Sequence, residues 1–171
     1  MSEYQPKPEY TRFDTEAAWH EAVDRLLERP GRELRVFDPD LTSLRLNSPQ
    51  RVALIEKFLQ ASRTWRLFVA LHDNEHLTRR CPRMMGLLAR YVHTIQINRT
   101  HEEIKSIQDS FLVLDARDYV RPPGGAVLPG RCGLRRRARR PRHALALPRD
   151  LDRLASGCFE HDGWAVTIPW L

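Results

Sequence analysis

Apolar residues recur along this chain in two rhythms that alternate. From Thr15 to Glu28, Trp19, Ala22, Val23, Leu26 and Leu27 return at helical spacing and line one face. Asp14 or Thr15 can cap this helix by accepting from its free N–H groups, and Pro30-Gly31 ends it. Glu33–Phe37 (ELRVF) reads as a short strand, followed by the turn Asp38-Pro39-Asp40. Asn47-Ser48-Pro49 predicts a helix start, a capping Ser before Pro at the first helical position. Val52, Leu54, Ile55, Phe58 and Leu59 form its apolar face. Thr64–Asp73 (TWRLFVALHD) is the most apolar run in the chain and predicts a strand buried on both faces. Asp73 or Asn74 opens the next segment, and Pro82 begins its main helix, with Met84, Met85, Leu87, Leu88 and Tyr91 apolar. His93–Ile97 (HTIQI) alternates as a strand does. Thr100, with Glu103 three residues on, predicts a capping box and a short helix. Ser110–Leu114 (SFLVL) reads as a fourth strand that ends at Asp115.

Strands joined through helices within one sheet are normally parallel. The expected fold class is therefore α/β: a mostly parallel sheet of four or more strands with helices on both faces. Ligands in such folds bind beyond the C-terminal ends of the strands. Those ends offer Asp38 and Asp40, His72 and Asp73, Asn98 and Arg99, and Asp115 with Arg117. Asp38, Asp40, Arg99 and Arg117 are the candidate ligand-binding residues among them.

A length of 171 residues suits one domain. No apolar run reaches the roughly 18–20 residues of a membrane span, and MSEYQPKPEY lacks the apolar stretch of a signal peptide. The three cysteines have no CxxC spacing, so a reducing cytoplasm is expected, with no cofactor implied. The net charge of +6 is unevenly placed: residues 122–171 hold nine arginines and four acidic residues, which leaves 1–121 close to neutral. Three parts follow: a loose lead-in over 1–13, an α/β domain over 14–121, and an Arg/Pro-rich tail over 122–171. The tail admits three readings. It can be a disordered basic extension, an arm that binds phosphate backbones, or a segment translated out of frame.

Four groups carry candidate chemistry. His72 and His76 would share a helix face and could bind a metal with a third ligand. His72 falls at a strand end, however, so the bland reading is loop bonding, with Asp73 or Asn74 as a cap. Asp38 and Asp40 could act as an acid–base pair, or simply accept turn N–H groups. Cys81 needs a base to become a nucleophile, and only His76 lies nearby in sequence. Arg79, Arg80, Arg83 and Arg90 could face a phosphate or only solvent.

The segments LRVFDPDLTSLRLNSPQRVALIEKFLQAS, LFVALHDNEHLTRRCPRMMGLLARY and QDSFLVLDARDYVR resemble an uncharacterised bacterial family of phospholipase-D-like domains. Some members of it are joined to acetyltransferase domains. The resemblance covers roughly residues 12–121, through FDPDL, LNSP, LHDNEH and the CPR turn. The family ends in a helix with an Ile-Trp pair, and a shifted reading of residues 143–166 can reproduce that ending, which implies a frame change near 121–125. The superfamily's motif is H-x-K-x-x-x-x-D. Placing Asp115 on its Asp puts Gln108 at the His position and Ser110 at the Lys position. Gln cannot form a phospho-enzyme bond and Ser brings no cation. The resemblance thus implies a non-catalytic domain that binds a protein or a phosphate-containing ligand. The competing classes are a hydrolase using His72, Asp73 and His76, and nucleic-acid binding through the tail.

Overall fold

The computed structural model describes residues 9–100, 105–122 and 130–134. In chain order the elements are β1 (Glu9–Phe13), α1 (Glu16–Leu27), β2 (Glu33–Phe37), α2 (Pro49–Gln60), β3 (Arg66–Leu71), α3 (Glu75–Arg80), α4 (Pro82–Arg90), β4 (Ile95–Arg99), β5 (Phe111–Leu114), β6 (Asp118–Arg121) and β7 (Gly130–Leu134). The local signals work as physics requires. The Thr15 hydroxyl accepts from the Ala18 N–H at 3.2 Å, and the Ser48 hydroxyl accepts from the Arg51 N–H at 3.3 Å. Each supplies one of the acceptors that the first helical turn lacks.

The strands form one mixed sheet in the order β1-β7-β6-β5-β2-β3-β4. β2, β3 and β4 are parallel, joined through helices as expected. β5 differs. It lies on the other side of β2 and runs antiparallel to it, pairing Phe37 with Phe111 and Leu34 with Leu114. β6 follows β5 by a tight turn rather than a crossover, and the β6, β7 and β1 ladders are antiparallel too.

Two segments assigned outside the domain are strands of this sheet. Glu9–Phe13, within the expected lead-in, pairs with Gly130–Leu134, within the expected tail. Neither carries enough apolar residues to announce itself, but the backbone ladder needs none. Tail residues 123–129 and 135–171, and residues 101–104, where the short helix capped by Thr100 was expected, lie outside the described residues.

All four helices in the described residues pack on one sheet face, where both faces were expected to carry them. Trp19, Val23 and Leu26 of α1, Ile55 and Phe58 of α2, Leu77 of α3 and Met84 and Leu87 of α4 share one core with Leu34, Val36, Leu67, Val69, Leu112 and Val120. Strand side chains alternate between faces, and the other face holds a smaller cluster: Phe37, Ala70, Phe111, Val113 and Tyr119. The central run is thus apolar beneath the helices, while on the far face it passes from exposed Arg66 through half-buried Phe68 to buried Ala70. No described helix is long and apolar enough to cross a membrane.

Candidate functional site

The parallel strands deliver Asp38, Asp40, His72, Asp73 and Thr100 to one end of the sheet. Antiparallel β5 starts at that same end, so it contributes Ser110. Asp38 is fully buried, and its Oδ2 accepts from the Leu44 N–H at 2.8 Å. This bond shapes the loop after β2, in which Leu41, Leu44 and Leu46 turn inward. Leu41 and Arg45 hold left-handed backbone there, with φ of 64° and 45°. Burial pushes the Asp38 carboxyl above its ordinary pKa, against the opposing Leu44 N–H, and the nearby Asp40 charge adds to the rise.

Asp40 is a turn residue. Its Oδ1 accepts from the Thr42 N–H at 3.0 Å and from the Thr42 hydroxyl at 2.6 Å. Partial burial raises its pKa, but these Thr42 bonds and the His76 charge outweigh it, and the net shift is downward.

His72 has both ring nitrogens engaged. Nε2 donates to the Ile107 carbonyl at 2.7 Å, and Nδ1 meets the Thr100 hydroxyl. Its ring stands edge-on to Phe37, with centroids 5.3 Å apart. No nitrogen is left to attack phosphorus or bind a metal. Asp73 precedes the Asn74 N-cap of α3 and accepts from the Glu75 N–H at 3.0 Å, an Asx-type turn into the helix. The backbone N–H groups of His72 and Asp73 both donate to the Pro39 carbonyl, at 2.8 and 3.1 Å, tying the two loops together. His76, half-buried, faces Asp40 by charge and does not join His72. Among the described residues no three His, Cys, Asp or Glu side chains gather to hold a metal. Cys81 is buried, and burial pushes its thiol up, away from the reactive thiolate.

Asp115 and Arg117 belong elsewhere. Because β5 is antiparallel, its last residue lies beside the start of β2. There Asp115 Oδ1 accepts from the N–H groups of Arg32, at 2.7 Å, and Glu33, at 2.9 Å. The expectation that they share the strand-end site fails for that reason. Gln108 precedes β5 and donates to the Lys105 carbonyl at 2.8 Å, so the positions matched to H-x-K-x-x-x-x-D lie at opposite ends of one strand. Arg99 is exposed at the end of β4, in register with Leu71.

One residue that organises the site carried no sequence signal. Arg51, in the first turn of α2, is buried and reaches four acceptors. Its Nε donates to Asp24 at 2.7 Å, Nη1 to the Leu44 carbonyl, and Nη2 to His20 Nδ1 and the His20 carbonyl at 3.2 and 3.1 Å. Leu44 therefore joins Asp38, through its N–H, to Arg51, through its carbonyl. An arginine one turn into an amphipathic helix usually points to solvent, so nothing in the pattern marks it.

A separate basic feature starts on the sheet. Residues 131–142 contain seven arginines, and the first, Arg131, lies on β7 between β1 and β6.

No curated protein matches the chain. Among solved structures, the chain is similar to TrmBL2, an archaeal chromatin protein whose structure is described as showing a novel mode of DNA binding. The TM-score is 0.50 at 10% identity, over 80% of this chain and 48% of that one, so this chain spans about half its length. That likeness concerns the fold. By the family model that matches residues 15–148, the chain belongs to the family described as a domain of unknown function, DUF7931.

Proposed function

We propose that this chain is a non-catalytic nucleic-acid-binding domain whose arginine-rich segment supplies the phosphate contacts. One observation carries the reading: seven arginines fall within residues 131–142, and the run begins on a strand of the sheet. Guanidinium groups at this density repel one another, and a polyanion relieves the repulsion while releasing its own counterions. A run whose first residue is fixed on a strand also loses less freedom on binding than an unanchored arm.

Other features support the same side. The hydrolase alternative needs a free His72, yet both its nitrogens are engaged, and one Asp73 oxygen serves the turn into α3. The chromatin protein, about half of which this chain matches, is itself described as binding DNA. The phospholipase-D-like ancestry is part of the proposal. Gln108 and Ser110 in place of His and Lys suit a scaffold without phosphoryl-transfer chemistry, its phosphate contacts supplied by the arginines instead. A cytoplasmic location follows from the same reading.

The test is fluorescence anisotropy of the full chain with labelled duplex and single-stranded DNA across a salt series. Tight binding is expected at about 50 mM salt, weakening by about 0.9 log units per log unit of salt for each phosphate contacted on duplex DNA. Replacing Arg135, Arg136 and Arg137 by Gln lowers that slope. Absence of binding at low salt overturns the proposal. Phosphodiesterase activity abolished by Asp38→Asn overturns its non-catalytic half.

A further inference from the structure

We infer that the folded sheet itself forms part of the nucleic-acid surface, with Arg12 of β1 and Arg121 of β6 flanking Arg131 of β7 in a single row. This rests on the nucleic-acid reading above and adds a second element to it, one that lies in the domain rather than in the arginine run.

The row is set by backbone register. Arg131 pairs with Arg12 on one side and with Arg121 on the other. Neighbouring strands stand about 4.8 Å apart, so three such positions span about 10 Å across the strands. The direction of the outer two follows from their neighbours. Phe13 and Val120 are buried in the helix-side core. Adjacent strand residues point to opposite faces, which turns Arg12 and Arg121 toward the face away from the helices. Arg12 is exposed and Arg121 half-buried.

Like charges directly opposite each other on paired strands are destabilising. Here two such pairings are adjacent, and among the described residues no ion pair with an acid reaches Arg12 or Arg121. Asp118, the acid on β6, shares Val120's face and pairs instead with Arg29 at 3.2 Å. Two arginines without a carboxylate partner among the described residues, set in register on either side of a third, suit an anion. The spacing favours one with repeated single charges. The phosphate backbone of a nucleic acid has that character.

The experiment compares three full-length proteins on one labelled duplex over a salt series: wild type, the Arg12→Gln/Arg121→Gln double variant, and the Arg135→Gln/Arg136→Gln/Arg137→Gln variant. Thermal melting without DNA is recorded for each. The double variant is expected to lose about two contacts, lowering the log–log salt slope by about 1.8. Its affinity at about 0.1 M salt should fall tenfold or more, while its melting temperature stays level or rises as repulsion is removed. If the double variant binds as wild type and the run variant does not, the sheet row is refuted and the proposed function stands. If wild type does not bind, both fall. If polyglutamate competes as well as DNA, the assignment to a phosphate backbone is overturned. Should the double variant not fold, Arg12→Gln alone at its exposed site tests the row, with an expected slope change of about 0.9.

Discussion

Asp38 and Ser110 stand one step beyond the Phe37–Phe111 pair where β2 meets β5, and both are buried. Neither Asp38 Oδ1 nor Ser110 Oγ makes a hydrogen bond of normal geometry among the described residues. The hydroxyl is nonetheless near enough to favour the carboxylate slightly against the effect of burial. A carboxyl group raised in this way keeps its proton in the folded protein at a pH where the unfolded chain has lost it. The folded state then binds more protons, so stability falls as pH rises from the ordinary carboxylate range to Asp38's raised value. Asp38→Asn removes that dependence, because its amide is neutral throughout and can still accept from Leu44. Urea midpoints measured over a pH series should decline for wild type across this window relative to the variant. Parallel curves would show that Asp38 does not titrate there. Asp38→Ala instead leaves the Leu44 N–H buried and unpaired, at a cost of about 1–3 kcal/mol.

The β5–β6 turn holds two non-glycine residues in left-handed backbone, Asp115 and Ala116, each with φ of 54°. Asp115 has compensation in the two N–H groups it accepts, whereas alanine has none. Ala116→Gly should stabilise the protein by about 1 kcal/mol. Asp115→Ala should cost about 2 kcal/mol through the lost bonds to Arg32 and Glu33. Urea unfolding checks both, and DNA affinity should be unchanged in each folded variant.

His72 is a strut in this structure. His72→Ala removes its bonds to Thr100 and Ile107 and its contact with Phe37, and should cost about 2–3 kcal/mol. The slope of DNA binding against salt should not move. Zinc added to the purified wild type should leave its melting temperature unchanged. A zinc-dependent rise that His72→Ala abolishes would restore the metal reading.

Arg51→Met should destabilise by about 3 kcal/mol, since it strands the Asp24 charge and the Leu44 carbonyl together. Arg51→Lys should recover only part of this, because one ammonium cannot reach acceptors on α1 and the loop after β2 as a planar fork does. Equal stability of the two variants in urea would mean that charge alone matters.

The starts of α1 and α2 were legible because each rests on a bond between a capping hydroxyl and the N–H three residues on, at Thr15 and Ser48. The three parallel strands were legible from their separation by helices. The direction of β5 was not. FLVL is apolar at every position and has no polarity to read. The turn that reverses the chain lacks the glycine that usually marks one, using Asp115 and Ala116 instead. That single reversal moved Asp115 away from the candidate site and brought Ser110 into it. β1 and β7 escaped notice for another reason: β1 has its partner more than a hundred residues away, and β7, although it also pairs with nearby β6, has two glycines and no apolar alternation to mark it.

The pairing of Glu9–Phe13 with Gly130–Leu134 also sets a timetable for synthesis. During translation, α1, β2, α2, β3 and β4 emerge with their partners close behind, and can assemble as they appear. The first strand cannot. It waits until residue 134 has left the ribosome, and the sheet closes only then. Long-separation contacts of this kind slow folding, because the entropy of closing the loop is lost before the contact returns anything. Until β7 arrives, β6 has an open edge of backbone N–H and carbonyl groups, and other nascent chains can pair with it.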